Sequence, residues 1–283
     1  MATRRAGKPS HPPAGPAARI HLGTQGWDYP AWVGPFYPAG TKPPDFLSVY
    51  ARAFDTVEVD STYHAAPAEH VVRGWAEKVP AGFRFALKLP QELTPEAAPA
   101  DAQGLAAFAA RAALLGEKLG PVLVQLGPEF GPERWEAVVA LLAALPSGLR
   151  WAVEFRHKGW VGPKLLDLLG RHGVALALVE GRWLRRDETI DLAIRPTADF
   201  AYVRWIGTGP RMEDVASVQV NRDRELSVWA VALAALAARV PVVYGYFANH
   251  FQGHAPASVR EMQRLIGGRP VEPAKLGSQT SLF

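Results

Sequence analysis

The chain has 283 residues, 48% of them apolar and nine of them tryptophan, enough for a sizeable core in one large domain or two small ones. It has no cysteine, which excludes disulfides, thiolate metal sites and cysteine nucleophiles. An isoelectric point near 9.4 invites a polyanionic partner. The formal charge of +4 comes wholly from the ends, however, with +3 in residues 1–18 and +1 in residues 268–283, leaving 26 basic and 26 acidic side chains between them. The central segment therefore has no net attraction for duplex DNA, and only the tails add a weak, salt-sensitive one.

Residues 1–18 are rich in Pro, Ala and Gly and are expected to be disordered. They lack the apolar segment of a secretory signal, and no stretch is apolar enough to span a membrane, so a cytoplasmic protein is expected. From residue 19 short β-rich runs appear at 20–24, 56–60, 83–89, 121–126, 151–155, 174–179, 201–206 and 242–247. Helical patterns fall at 45–54, 68–79, 104–120, 132–145, 163–173, 225–240 and 256–267. The link over 180–200 lacks a convincing long helix and reads as an irregular excursion over one end of the fold.

Eight strands alternating with helices demand parallel pairing, and several strands are apolar almost throughout, as expected when both faces are covered. Eight such units in about 250 residues fit a single (β/α)8 barrel of the TIM type spanning residues 19–267. An open doubly wound sheet is the structural rival, but no glycine-rich phosphate fingerprint follows the first strand.

Chemistry is expected where apolar strands end in residues that a core rejects. Glu58 and Asp60 precede Ser61-Thr62-Tyr63-His64. Lys88 and Gln125 come late in the third and fourth strands, and Glu154, Arg156 and His157 arrive together. Glu180 ends the sixth strand, Arg204 lies in the seventh, Asn249 and His250 follow the eighth, and Trp27 and Tyr29 follow the first. Glu58, Lys88, Glu154 and His157 are the catalytic candidates, with the glutamates or the histidine as acid or base. Arg156 and Arg204 could clamp a phosphate or carboxylate, with Lys88 as a point charge. Trp27, Tyr63 and Trp205 could stack on a base or sugar, and Gln125, Glu180 and Asn249 complete the substrate-binding set. The competing assignment is structural: Glu58, Lys88, Glu154 and Arg204 could form an ion network that caps the core. Glu58, Glu154, His157 and Glu180 match no metal-ligand spacing, and no cofactor motif is present. A divalent metal stays open as an option, but none is assigned.

The segments GTQGWDYPAWVGPFYPAG, YARAFDTVEVDSTYHAAP, FRFALKLP, LGPVLVQLGPEF, WAVEFRHKGW and YVRWIG occur in this order. Together they resemble the YecE-like family, also called domain of unknown function 72, over residues 20–267. The resemblance implies a TIM barrel and points to Gly26, Trp27, Glu58, Lys88, Gln125, Glu154, Arg156, His157 and Arg204. It implies no reaction, because the family has no generally established one.

Residues 268–283 contain enough Pro and Gly to read as an extended tether, yet they end in Leu282 and Phe283. The terminal Gln279-Thr280-Ser281-Leu282-Phe283 resembles the bacterial sliding-clamp-binding motif, in which Gln bonds the rim of a groove while Leu and Phe fill an apolar pocket. The leading expectation is thus a DNA-maintenance protein, such as a nuclease or other phosphodiester hydrolase, recruited to the clamp. The alternatives are a barrel enzyme acting on a phosphorylated or carboxylated metabolite, and a non-catalytic binding module.

Overall fold

A computed structural model describes residues 18–277. Eight strands alternate with helices: β1 (Arg19–Thr24), β2 (Thr56–Val59), β3 (Arg84–Lys88), β4 (Leu119–Leu126), β5 (Trp151–Phe155), β6 (Ala175–Gly181), β7 (Phe200–Gly207) and β8 (Val242–Phe247). All neighbouring pairs are parallel, in the order β1-β8-β7-β6-β5-β4-β3-β2. The helices are α1 (Phe46–Tyr50), α2 (Glu69–Glu77), α3 (Ala102–Ala112), α4 (Trp135–Ala144), α5 (Pro163–His172), α6 (Arg186–Asp191), α7 (Asp223–Ala237), α8 (Asn249–Gln252), α9 (Ala255–Leu265) and α10 (Pro273–Leu276). The fold is the α/β barrel of the TIM type that the strand count predicts. No helix among the described residues is long and apolar enough to cross a membrane.

Closure falls between β1 and β2, which share only a bridge from Gln25 to Glu58 and a bond from the Gly26 N–H to the Glu58 carbonyl (2.8 Å). The strands approach so closely at Gly23 that a Cβ there would lie 2.1 Å from the Thr56 carbonyl oxygen, which makes glycine obligatory. Tyr50 completes the seam. Its fully buried hydroxyl accepts the Thr24 N–H at 2.9 Å and donates to the Thr56 carbonyl at 3.0 Å, so one oxygen serves two strands that make no ladder there.

Two cores result. The larger packs the helices against the outside of the barrel and includes Trp32, Phe85, Leu141, Leu169, Trp205 and Trp229. The smaller fills the lumen, where Ala86, Ala152, Ala175 and Ala177 make room for Phe200, Tyr202, Tyr244 and Tyr246. Small residues on one wall thus face large ones from the other, and the lumen is a packed interior.

The 180–200 connection holds no long helix, only the six residues of α6. The segment expected as an extended tether has no regular structure over 268–272 and then turns into the short helix α10. In α10 the Leu276 side chain is buried, its carbonyl accepts from Arg52 at 3.2 Å, Gly277 lies beside Pro38, and Glu272 pairs with Arg264 at 2.7 Å. Burying one leucine at that surface outweighs the breaker residues around it. Residues 1–17 and 278–283, including Gln279, Leu282 and Phe283, lie outside the described residues.

Replacing Tyr50 by Phe is expected to cost roughly 1–3 kcal/mol, because a buried N–H and a buried carbonyl lose their partner while the packing is kept. Urea unfolding measures this directly, and a variant with wild-type stability would show that the hydroxyl does not hold the seam.

Candidate active site at the barrel mouth

Inward-facing positions are set by register. Gln125 pairs with Glu154 across β4 and β5, and Arg204 pairs with Val179 and Tyr246 across β6, β7 and β8. Residues paired across a parallel ladder share a face. Tyr202 and Tyr246 lie in the lumen, so Arg204 enters it above Tyr202, and its side chain reaches β2 and β5.

Arg204 is the centre of the site. Its Nε and Nη2 donate to the two Glu58 carboxylate oxygens at 2.9 and 2.7 Å, a bidentate fork. Nη1 donates to Glu154 and, at 3.3 Å, to the Gln125 side-chain carbonyl. The Tyr202 hydroxyl donates to Glu58 at 2.7 Å. On the far side, Arg156 donates to Glu154 at 2.6 Å and to Gln125 at 2.9 Å, and its guanidinium lies 4.0 Å over the Trp183 ring. Glu58 and Glu154 are 0% exposed and Arg204 is 2% exposed.

The two glutamates titrate in opposite directions. Burial pushes the Glu58 carboxyl up, and neighbouring Asp60 adds to this, which outweighs the Arg204 attraction. Burial acts the same way on Glu154, but Arg204 and Arg156 together outweigh it and hold that carboxyl down at about 2. Glu58 has one guanidinium partner and a nearby acid; Glu154 has two guanidinium partners.

Lys88 stands above this layer. It is 6% exposed, with Nζ 3.4 Å from an Asp60 oxygen and 4.4 Å from the centre of the Tyr63 ring. Burial, reinforced by Arg204, lowers its pKa, and the acids Asp60, Glu58 and Glu154 offset this only in part. Asp60 is exposed along its side chain and lines two adjoining clefts. One, of about 660 Å³, opens between Gln25, Tyr29, Asn249, His250 and Arg211. The other, of about 380 Å³, lies against Trp27, Trp75 and Ser61.

Glu58, Lys88, Gln125, Glu154, Arg156 and Arg204 therefore meet as the sequence suggested, while other candidates do not join them. Glu180 follows inward-facing Val179 and so points outward, where it accepts from Arg186 at 2.8 and 2.9 Å and from the Trp229 indole at 2.7 Å. His157 caps the turn after β5, its Nδ1 accepting the Gly159 N–H at 3.1 Å. Trp205 stacks on Phe247 at 4.1 Å in the outer core, so it offers no platform. Trp27 sets its ring edgewise against Trp75 and Phe85 beside the smaller cleft. Asn249 lines the larger cleft while its side-chain oxygen accepts the Ala255 N–H at 3.0 Å. Four Arg204 hydrogen bonds go to Glu58, Glu154 and Gln125, which leaves little of the guanidinium for the phosphate clamp expected from the sequence. With Glu180 and His157 elsewhere, the four potential metal ligands named from the sequence do not assemble, and no group of three such ligands gathers among the described residues.

Gln25, Asp60, Tyr29, Arg211 and His250 add polar groups to the larger cleft; Asp60, Tyr29 and His250 stand at strand ends in the sequence, whereas Gln25 and Arg211 lie in segments without a motif.

Arg204→Met is expected to cost roughly 3–5 kcal/mol at pH 7, because it leaves two buried carboxylates without their main counter-charge. The pH dependence follows in sign. Wild-type Glu154 stabilises the fold fully above its ordinary value near 4.5, and this is lost as pH falls toward about 2. In the variant Glu58 and Glu154 favour the protonated form, so its deficit against wild type should shrink as pH falls through their raised values toward 4.5, and further as wild-type Glu154 is protonated below that. Urea unfolding at pH 7 and pH 4 measures both, and an equal deficit at the two pH values would contradict the assignment.

A family model described as "Protein of unknown function DUF72" matches residues 21–280. The Escherichia coli K12 protein "UPF0759 protein YecE" is 29% identical over 227 residues, covering 76% of this chain and 81% of that protein. The Bacillus subtilis "UPF0759 protein YunF" is 23% identical, over 87% and 94%. A DUF72 family crystal structure from Thermotoga maritima superposes with a TM-score of 0.74 at 24% identity, over 88% of this chain and 99% of that one. Another, from Enterococcus faecalis, gives 0.71 at 20% identity, over 89% and 97%. These structures share the fold, and the match over nearly the whole barrel establishes that the chain belongs to the DUF72 family.

Proposed function

We propose that the chain is an enzyme acting on a small polar molecule at the barrel mouth, with Lys88 and Asp60 as its proton-transferring pair. The observation that carries this reading is the placement of Lys88: a buried amine with a lowered pKa, next to an acid that opens into both clefts. A desolvated lysine reaches its neutral form more readily than an exposed one and can then take a proton from a bound molecule. Asp60 can receive that proton and exchange it with solvent. Glu58, Glu154 and Arg204 are positioning residues on this account, because they bond mainly to one another and are sealed below the mouth. The same pairing disfavours a phosphodiester substrate held by Arg204.

A second reading, docking on a bacterial sliding clamp, is carried by the terminal Gln279-Thr280-Ser281-Leu282-Phe283. Leu276 is anchored on the barrel, and Gln279 follows three residues later, a reach of roughly 10 Å. A clamp bound there would sit against the barrel near Pro38 and Arg52, not at the end of a long tether. Full-length protein is expected to be retained by immobilised clamp and a chain lacking residues 279–283 to be lost. Equal retention, or none by either, would contradict this reading and its DNA-maintenance role.

The Lys88 assignment is tested by carbon-13 NMR of reductively methylated protein. Lys88 should titrate below the exposed lysines, and Asp60→Asn should lower it further, since Asp60 favours the ammonium form. Titration of Lys88 together with the exposed lysines would contradict it. In a screen of small hydroxylated and carbonyl-bearing metabolites, Lys88→Met should cut turnover roughly 10²–10⁴-fold while the chain stays folded. Wild-type turnover in that variant would end the proposal.

A further inference from the structure

The two clefts that meet at Asp60 differ in character. The larger is mixed and polar. The Tyr29 hydroxyl donates to the Gln25 carbonyl at 3.0 Å, and burial with the charge of Asp60 pushes the Tyr29 pKa up to about 12, so it stays a phenol at neutral pH. The Met212 N–H donates to His250 Nδ1 at 3.1 Å. A backbone N–H can only donate, so Nδ1 is the bare nitrogen and Nε2 carries the proton. Burial and Arg211 lower the His250 pKa, which keeps this ring a neutral donor.

Gln25 supplies the observation that points to a ligand. It is 7% exposed and lines this cleft, yet its amide Nε2 has no hydrogen-bond partner. A buried donor without an acceptor is costly, and because Gln25 lines the cleft a turn of its side chain would bring that donor to an oxygen of a bound molecule. The polar cleft thus offers donors at Gln25, His250 and Arg211 and acceptors at Asp60 and Glu213. Donors and acceptors in such a mixture suit hydroxyl groups, which are both at once.

The smaller cleft is aromatic. Trp27 and Trp75 line it half-buried, and Tyr29 and Asp60 are common to both clefts. Across the pair, Asp28, Asp60 and Glu213 line the walls with Arg211, and Lys88 pairs with Asp60, so the acids still outnumber the cations and the local charge disfavours a phosphate or carboxylate on the ligand.

We infer that the mouth binds a neutral glycoside, with its hydroxylated ring between Gln25, Asp60 and His250 and an attached planar apolar group against Trp27 and Trp75. This rests on the reading of the mouth as a small-molecule site and replaces the phosphorylated or carboxylated metabolite expected from sequence. A volume of about 660 Å³ accommodates a sugar ring, and two half-buried indoles suit a flat partner.

Calorimetry and saturation-transfer NMR on the full-length chain, with methyl and phenyl pyranosides of several hexoses and pentoses, test this. At least one phenyl glycoside should bind roughly tenfold more tightly than its methyl counterpart, and sugar phosphates should bind no better than the free sugars. Gln25→Ala should weaken both glycosides about fivefold, whereas Trp75→Leu should remove only the phenyl advantage. Should Trp75→Leu fail to fold, phenyl-proton saturation transfer in the wild type, strong if the ring lies on the indoles, replaces it. Tighter binding of phosphates, no glycoside binding at millimolar concentration, or indifference to Gln25→Ala would each overturn the inference. Lys88→Met separates the two claims. Glycoside binding that survives in it, with wild-type turnover, sinks the Lys88 chemistry alone; turnover that depends on Lys88 but excludes glycosides sinks the glycoside alone.

Discussion

One guanidinium organises the upper barrel. Arg204 lies in a lumen whose dielectric makes an unpaired charge prohibitive, and it is tolerable only because Glu58 and Glu154 face it from opposite strands. Each carboxylate in turn needs Arg204, and the tyrosine and glutamine beside them fill the remaining hydrogen bonds. Three acids, Glu58, Asp60 and Glu154, stand with three bases, Lys88, Arg156 and Arg204, and their formal charges cancel. Removing any buried member strands another.

That balance divides the mouth into a floor and a rim. Side chains in the floor bond mainly to one another, and Glu58, Glu154 and Arg204 are sealed from solvent, so what they send to the rim is an electrostatic field. Lys88 feels this field most: Arg204 beneath it disfavours its proton, while Asp60 above favours it. The sequence-level alternatives of structural ion network and reactive site are therefore not exclusive. The network holds the upper barrel together, while burial, with Arg204 beneath, lowers the proton affinity of the lysine at its edge against the pull of the acids.

The strand ladder was legible almost residue by residue, because eight β-rich runs separated by helical patterns leave few topologies open. The site was legible only in part. Strands buried on both faces show no alternation, so the sequence cannot say which side a terminal charge takes. Glu154 and Glu180 look alike in WAVEF and ALALVEG, yet one enters the lumen and the other pairs with Arg186 in the helix layer. His157 reads as an acid–base candidate because its neighbours are charged, but its nitrogen serves a local turn. Gln25 and Arg211 carry no pattern, and only the fold brings them to the same cleft as Asp60. The buried Leu276 was hidden by the prolines and glycines around it.

A crystal structure of the protein with a bound small-molecule ligand tests the central claim most directly. The account predicts ligand atoms within hydrogen-bonding distance of Asp60 at the rim, with both carboxylates still on Arg204. A ligand that displaces Glu58 or Glu154 and takes the guanidinium for itself would contradict it.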